Sequence, residues 1–178
     1  MWTFGALLEA PENFEEFSTL PVLIAAAGKD ELIIREDTGE SQATAIFAHE
    51  TIRMMKAQRA QELENLKAAL AADSIILPIQ KKPESFWDHI TLGRADNADI
   101  LVGDPAISTI HAHFLLKGQK GLARVQDVGS SNGTFLNLER LQPHRPVEVF
   151  SGDCLRFGQS VFYLVGPSSL KALLGLSR

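Results

Sequence analysis

The sequence predicts an all-β antiparallel sandwich over residues 75–166, preceded by a mainly helical extension. Short β-branched or aromatic runs recur in this region about every eight to twelve residues, separated by clusters of Gly, Pro, Asn and Asp. No helical pattern lies between these runs, which favours two antiparallel sheets over a parallel α/β fold. A segment without Gly or Pro from residue 42 to 72 predicts the helix of the extension.

The composition is that of a globular protein that binds neither nucleic acid nor membrane. The chain has 178 residues, of which 45% are hydrophobic, and this is enough for a sizeable core. A formal net charge of −5 argues against a general binder of nucleic acid or anionic membranes, which needs a dense basic face. We find no membrane-length apolar run, no signal-peptide pattern and only one cysteine, Cys154, which we expect to be a buried thiol. These features predict a cytoplasmic protein.

Residues 1–74 contain no motif that identifies a known family, and the sequence does not indicate their role. Phe14, Phe17 and Leu20 have helical spacing up to Pro21. The apolar run at residues 22–27 fits either a short buried strand or a piece of helix, and periodicity does not decide between them. Because the composition changes to β-branched residues after residue 74, we place a domain boundary there.

The predicted helix over residues 42–72 is about 30 residues and about 45 Å long. Its apolar stripe is interrupted at Arg59 and Glu62. This interruption favours a helix packed at both ends and solvated in the middle over a continuous coiled coil. A homo-oligomer formed through this helix remains an alternative.

Nine strand-like runs follow the predicted boundary. They are residues 75–80, 89–92, 100–102, 110–116, 122–127, 134–136, 147–150, 154–157 and 160–165. Residues 110–116 alternate clearly, with Ile110, Ala112 and Phe114 on one face. The last segment, residues 167–178, reads as a short helix or tail.

Polar residues at the ends of the predicted strands form a set suited to holding a phosphate. Arg94 follows one strand, Ser108 precedes another, and Ser131 and Asn132 lie in a tight Asn-Gly turn between two more. A guanidinium offers a planar fork of donors that stays charged, and hydroxyl and amide groups add further hydrogen bonds. The same set is poorly suited to breaking a bond.

The order of these motifs resembles the forkhead-associated (FHA) domain, a receptor for phosphothreonine peptides. The resemblance covers about residues 75–166. It rests on Gly93-Arg94, Ser108-x-x-His111, Ser131-Asn132-Gly133-Thr134, Leu136-Asn137 and the run at residues 151–158. It implies about eleven strands, so one or two short strands would lie unrecognised between residues 81 and 87 or near Arg140.

The resemblance also implies a role for each motif residue. Arg94 and Ser108 are expected to hold the phosphate, Thr109 and Ser131 to contact phosphate or peptide, and Asn132 to bind the ligand main chain. Structural support of the site is expected from Gly93, His111, Gly133 and Asn137. The implied partner is a phosphothreonine-containing protein, a substrate of a Ser/Thr protein kinase, and the implied function is that of a signalling adaptor.

The same residues also fit other interpretations. Arg94 could instead pair with Asp96 or Asp99 on the surface. Ser108, His111 and Asp127 could form a hydrolytic triad, but the sequence has no Gly-x-Ser-x-Gly elbow.

A metal site at His111 and His113 would lack a third ligand with diagnostic spacing. We therefore expect no catalytic residue, no metal and no cofactor. The main alternative function is an FHA-fold structural or oligomerisation protein that acts through its N-terminal helical region without phosphate. Thr38, in an acidic connector, is a hypothetical phosphorylation site that could occupy the binding site in cis or in a second copy.

Overall fold

The computed structural model describes residues 2–26, 61, 64–68, 70–85, 88–117 and 122–176, and these form a two-sheet sandwich. The strands are β1 Trp2–Thr3, β2 Val22–Ala25, β3 Ile75–Pro78, β4 Ile90–Gly93, β5 Ile100–Leu101, β6 Ala112–Lys117, β7 Leu122–Asp127, β8 Thr134–Leu136, β9 Glu139–Arg140, β10 Val147–Val149, β11 Cys154–Phe157 and β12 Ser160–Val165. One sheet has the order β1-β3-β2-β12-β11-β8-β9 and the other β10-β7-β6-β4-β5. All pairings are antiparallel except that of β4 with β5.

The main core lies between the two sheets. Leu92, Phe114 and Phe157 are fully buried there, and each comes from an inward-facing position of its strand. Ala112 and Phe114 of β6 face this core, as the alternation in the sequence predicts, and Leu115 is exposed on the opposite face. Burying these side chains between two sheets is the main source of stability for the sandwich.

The boundary expected near residue 74 does not coincide with an edge of the sheet. Strand β2 lies between β3 and β12 and pairs with both, Leu23 facing Leu77 on one side and Leu164 on the other. The prediction that the sandwich begins at residue 75 is therefore corrected. Residues 22–25 form a central strand because their three apolar side chains, Val22, Leu23 and Ile24, are all buried there.

The outer face of the seven-stranded sheet carries a second apolar layer. This layer contains α1 Phe4–Glu9, a 3₁₀ helix Pro11–Phe17, helical residues 64–68 and α2 Pro167–Leu173. Apolar side chains of these segments pack with the outward-facing residues of β2, β3, β11 and β12. The buried members are Phe4, Leu7, Phe17, Val22, Ile24, Leu66, Leu70, Ile76, Cys154, Tyr163, Val165, Leu170 and Leu173.

Most of the predicted elements are found. All nine predicted runs contain a strand, and the extra strand expected near Arg140 is β9. The predicted C-terminal helix is α2, and Cys154 is a buried thiol whose pKa burial raises to about 11. Of the helix predicted over residues 42–72, the described residues 61 and 64–68 are helical. Residues 70–72 are not helical, so the predicted end of the helix at residue 72 is corrected. Residues 42–60, 62, 63 and 69 and Thr38 lie outside the described residues.

Three loops meet at one end of the sandwich. They connect β4 to β5, β5 to β6, and β7 to β8, and the last of these crosses from one sheet to the other. Loops held by a rigid sandwich are common places for binding residues. No helix in the described part of the chain is long and apolar enough to cross a membrane.

Candidate functional site

Arg94 begins the β4–β5 loop, and its side chain is exposed and anchored at one nitrogen. Its Nε donates a hydrogen bond to the carbonyl of Ile107 over 3.1 Å, and its backbone amide donates to the carbonyl of Ser108 over 3.0 Å. A guanidinium has five donors, so the two terminal nitrogens are left for a ligand. Within the described residues Arg94 forms no ion pair, which removes the alternative of a surface pair with Asp96 or Asp99.

The Asp99 carboxylate is instead used to hold the β4–β5 loop. Its Oδ2 accepts hydrogen bonds from the amide and the hydroxyl of Thr91, both at 2.8 Å, and Oδ1 accepts from the amide of Lys82 at 2.9 Å. Burial raises the pKa of Asp99, but these hydrogen bonds outweigh it and leave the pKa below its ordinary value. An ionised carboxylate therefore fixes the far end of the loop that begins at Arg94, by hydrogen bonds to Thr91 and Lys82.

Ser108 and Ser131 bring the β5–β6 and β7–β8 loops together. The backbone amide of Ser131 donates a hydrogen bond to Ser108 Oγ over 3.1 Å. Because the Ser108 oxygen accepts this bond, its own proton is available to be donated elsewhere. Ser108 lies next to Ile107, the anchor of the Arg94 side chain, so a cationic donor and a hydroxyl donor are brought into one neighbourhood.

His111 is fully buried beneath these loops and braces them. Its Nδ1 accepts a hydrogen bond from the backbone amide of Ser108 over 3.1 Å, and Nε2 lies 3.2 Å from the carbonyl of Gly133. An accepting Nδ1 places the proton on Nε2, which then donates to that carbonyl. Burial lowers the pKa of His111, against the opposing effects of Gly133 and Asp127, so the ring is neutral.

The same contacts decide against a hydrolytic triad. The ring nitrogens of His111 contact backbone groups of Ser108 and Gly133, and the Ser108 hydroxyl takes no part in these bonds.

The described residues also include no group of three His, Cys, Asp or Glu side chains arranged to hold a metal ion.

Asp127 organises the β7–β8 loop, a role that sequence reasoning missed. Its Oδ1 accepts from the amides of Gly129 and Ser130 at 2.8 and 3.0 Å, and its Oδ2 accepts from the hydroxyls of Ser130 and Thr134 at 2.6 and 2.7 Å. Burial raises the pKa of Asp127, but these hydrogen bonds outweigh it and lower the pKa below its ordinary value. An aspartate at the start of a Gly-Ser-Ser-Asn-Gly run is a turn signal that could have indicated this role.

Asn132 and Thr109 are both exposed at the rim of the loop cluster. The Asn132 Nδ2 donates to the carbonyl of Ala106 over 2.7 Å, which fixes the amide and leaves Oδ1 and one N–H for a ligand. The backbone of Thr109 contacts the β4–β5 loop, because its carbonyl accepts a hydrogen bond from the amide of Ala95 over 3.2 Å. The structure thus brings Arg94, Ser108, Thr109, Ser131 and Asn132 to the same end of the sandwich.

Two glycines allow the loops to approach so closely. A β-carbon at Gly93 would lie 2.1 Å from the carbonyl oxygen of Thr109, a distance that no side chain tolerates. Gly133 has φ of +80°, which favours glycine, and a β-carbon there would lie 2.8 Å from Arg140 Nε. Gly93 thus permits a close approach of two backbone segments, and Gly133 leaves room for the Arg140 side chain.

Asn137 supports the fold at a different place. It has φ of +47° in the β8–β9 turn, and its side chain donates to Asp153 Oδ1 and accepts from the amide of Cys154, both at 2.9 Å. Three residues of β8 separate it from Gly133. Its support of the loop cluster is therefore indirect, through the position of β8.

The chain is similar in sequence to known proteins and to a known domain family. The FHA domain profile matches residues 90–158. The glycogen accumulation regulator GarA of Mycolicibacterium smegmatis is 30% identical over 138 residues, which cover 72% of this chain and 84% of that protein. The oxoglutarate dehydrogenase inhibitor of Corynebacterium efficiens is 27% identical over 135 residues, covering 72% and 92%. A solution structure of the FHA domain of an Arabidopsis thaliana hypothetical protein is 32% identical, covers 52% of this chain and 74% of that chain, and has a TM-score of 0.43.

The fold and the loop cluster together define a β-sandwich module whose polar loops lie at one end. The chain belongs to the forkhead-associated domain family. Its described N-terminal segments, which include β1 and β2, lie outside the residues that the FHA profile matches and complete the seven-stranded sheet.

Proposed function

We propose that this protein is a signalling adaptor that binds phosphothreonine on partner proteins. The observation that supports the proposal is the convergence of Arg94, Ser108, Ser131 and Asn132 in an exposed loop cluster braced from below by His111. Membership of the FHA family supports the same function.

The chemistry of the loop cluster suits a phosphorylated side chain. A phosphothreonine carries close to two negative charges and three acceptor oxygens near neutral pH. The terminal nitrogens of Arg94 supply charge-assisted donors, and the Ser108 hydroxyl supplies a neutral one. Asn132 can donate to and accept from an extended main chain, so it would hold the peptide beside the phosphate.

The expected affinity is modest. Two or three hydrogen bonds to a charged group contribute about 1.5 to 3 kcal/mol each, and association costs at least about 4 kcal/mol. The phosphate alone therefore provides little net binding free energy, and contacts with the residues that flank the phosphothreonine must provide the rest. We expect a dissociation constant in the micromolar range, which corresponds to a standard binding free energy of about −8 kcal/mol.

The proposed role is binding rather than catalysis. The two relatives described above are named as a regulator and an inhibitor, and both names describe proteins that act on other proteins or pathways. Because a phosphothreonine is made by a protein kinase that acts on threonine, the proposed partner is a substrate of a Ser/Thr protein kinase.

Binding of matched peptides to the Arg94→Ala variant tests the proposal. Fluorescence anisotropy with a degenerate phosphothreonine peptide library and its unphosphorylated counterpart should show binding only for the phosphorylated set. Arg94→Ala should reduce that binding at least tenfold, because the charged donors to the phosphate are lost. Arg94→Lys should retain part of it, since the charge remains but the planar fork is lost.

Lys171→Ala, on the exposed side of α2, is the control for loss of one positive charge. Wild-type affinity in Arg94→Ala, with a normal melting temperature, would refute the assignment of the site. Equal binding of phosphorylated and unphosphorylated peptides would instead favour an adaptor that acts without phosphate.

A further inference from the structure

Two arginines share one aromatic ring on the outer face of the seven-stranded sheet. Phe135 of β8 lies opposite Arg156 of β11 on one side and Arg140 of β9 on the other. The guanidinium carbon of Arg156 lies 3.5 Å from the centroid of the Phe135 ring, and that of Arg140 lies 6.0 Å from it. We call these three side chains the Arg-Phe-Arg row.

The Arg-Phe-Arg row adjoins the candidate phosphothreonine site. The Arg140 guanidinium lies against Gly133, the residue after Asn132, where it occupies the space that a β-carbon would take. Arg156 Nη1 donates to the carbonyl of Gly158 over 2.6 Å, and the amide of Gly158 donates to the carbonyl of Gly133 over 3.0 Å. Both arginines are thus connected to the loop that carries Asn132.

The row has uncompensated positive charge. In the part of the chain that the structure describes, neither Arg140 nor Arg156 forms an ion pair. Glu139 precedes Arg140 in β9, and the alternation of a strand directs it to the other face of the sheet. Two guanidiniums beside one ring repel each other, and an anion bound between them would remove that repulsion.

Guanidinium groups held against an aromatic ring are well prepared to bind an anion. Contact with Phe135 restricts the rotation of Arg156, at 3.5 Å, more than that of Arg140, at 6.0 Å, and this restriction reduces the conformational entropy that both arginines lose when a ligand binds. Their remaining N–H groups can hold a carboxylate or a phosphate through two parallel hydrogen bonds. Arg140 lies against Gly133, the residue after Asn132, so the row is close to a peptide that contacts Asn132.

We propose that the Arg-Phe-Arg row is a second anion subsite that selects peptides with an acidic or a second phosphorylated residue close to the phosphothreonine. The inference rests on the proposed function and adds a sequence preference to it. The shared chemistry is an anionic side chain, and peptides carrying each kind of anion distinguish the two sources.

The test is a positional scan of phosphothreonine peptides by fluorescence anisotropy. One peptide has neutral flanking residues, and the others carry a Glu or a second phosphothreonine at each of four positions on either side. One position, or two adjacent ones, should bind about two- to fivefold more tightly with Glu, the range expected for a partly exposed ion pair. This gain in affinity over the neutral peptide should decrease as the salt concentration is raised, because exposed charges are screened.

Variants of the row decide whether it is the source of the gain. Arg140→Gln with Arg156→Gln should abolish the gain in affinity, which is measured as the ratio of the affinities of the Glu peptide and the neutral peptide for the same variant. Arg140→Gln alone, at an exposed position, should remove part of it without affecting folding. Lys171→Gln, which removes one positive charge from α2, should keep the full gain. Arg140→Glu should shift the preference toward Lys at the same peptide position.

The outcomes separate the inference from the proposed function. If the neutral phosphopeptide binds but no position responds to Glu or phosphate, the subsite does not exist, although the phosphothreonine site does. The same conclusion follows if the gain persists in the double variant. If no phosphopeptide binds to the wild-type protein, both the proposed function and the subsite are refuted.

Discussion

The backbone amide of Ser131 donates a hydrogen bond to the hydroxyl of Ser108 over 3.1 Å, across 23 positions of the sequence. This bond joins two loops that arise from different pairs of strands. The Ser108 oxygen takes part in this bond only as an acceptor, so the hydroxyl proton is available for another acceptor. A phosphate that enters the loop cluster would therefore meet a hydroxyl oriented to donate.

The first prediction concerns this hydroxyl. Ser108→Ala should weaken phosphopeptide binding about tenfold or more, because a hydrogen bond to a charged group contributes about 1.5 to 3 kcal/mol. Isothermal titration calorimetry measures the change. Ser168→Ala, at an exposed position of α2, is the matched control and should bind as the wild type does. An unaltered dissociation constant in Ser108→Ala would remove Ser108 from the site.

The second prediction concerns the close approach at Gly93. Gly93→Ala should lower the free energy of unfolding by about 3 kcal/mol and reduce binding, because the new β-carbon would overlap the Thr109 carbonyl and push the β5–β6 loop away. Urea denaturation and peptide titration report the two effects. Gly103→Ala is the control, since nothing lies within 4 Å of a β-carbon at that position. Equal stability of the two variants would contradict the observed packing.

The third prediction concerns the pH dependence of the β7–β8 loop. Hydrogen bonds hold the pKa of Asp127 below its ordinary value of 3.8 despite burial, which raises it. A carboxylate with a lowered pKa contributes stability above the unfolded-state pKa, and this contribution is lost as the pH falls below about 3.8. The ionised form of Asp127 therefore stabilises the protein throughout the neutral range.

Asp127→Asn tests this contribution. The variant should lose about 1 to 3 kcal/mol at pH 7, because it cannot accept all four hydrogen bonds. Its stability should also fall less steeply than that of the wild type between pH 5 and pH 3. Thermal unfolding over this pH range gives both curves. Parallel curves would mean that Asp127 is not the titrating group.

The fourth prediction concerns the extent of the domain. Leu23→Ala should cost about 2 to 5 kcal/mol, because Leu23 is fully buried in the core between the sheets. Leu8→Ala, at a side chain that is 48% exposed, should change stability by less than about 0.5 kcal/mol. Chemical denaturation of the full chain measures both. A neutral Leu23→Ala would indicate that residues 22–25 do not belong to the sandwich.

The sequence predicted the sandwich well because its strands have one buried face and punctuated ends. The period-two pattern of β6 and the Asn-Gly turn at Asn132 are local signals, and both are recognisable without coordinates. Strand β2 was ambiguous for a physical reason. Val22 and Ile24 pack into the outer layer and Leu23 into the main core, so the strand is apolar on both faces and shows no alternation.

The candidate site was predicted from the order of its motifs, but some of the contacts that support it were not. The contacts of Arg140 and Arg156 with Phe135 depend on which strands are neighbours. The hydrogen bonds of Asp127 reach no further than Thr134, so its role is a local signal that the sequence interpretation missed. Arg140 and Arg156 lie far apart in the chain and on different strands. Cross-strand contacts of this kind leave no periodic signal in a sequence.

By itself, the sequence determined that this protein has a β-sandwich region and that an arginine, two serines and an asparagine stand at the ends of its strands. The tertiary structure decided that an N-terminal strand completes one sheet, that His111 ties two loops together, and that two arginines extend the loop cluster along the sheet. The physical reason is that strand propensity and turn chemistry are local. Sheet order and the close approach of loops arise from contacts between distant residues, which only the folded chain brings about.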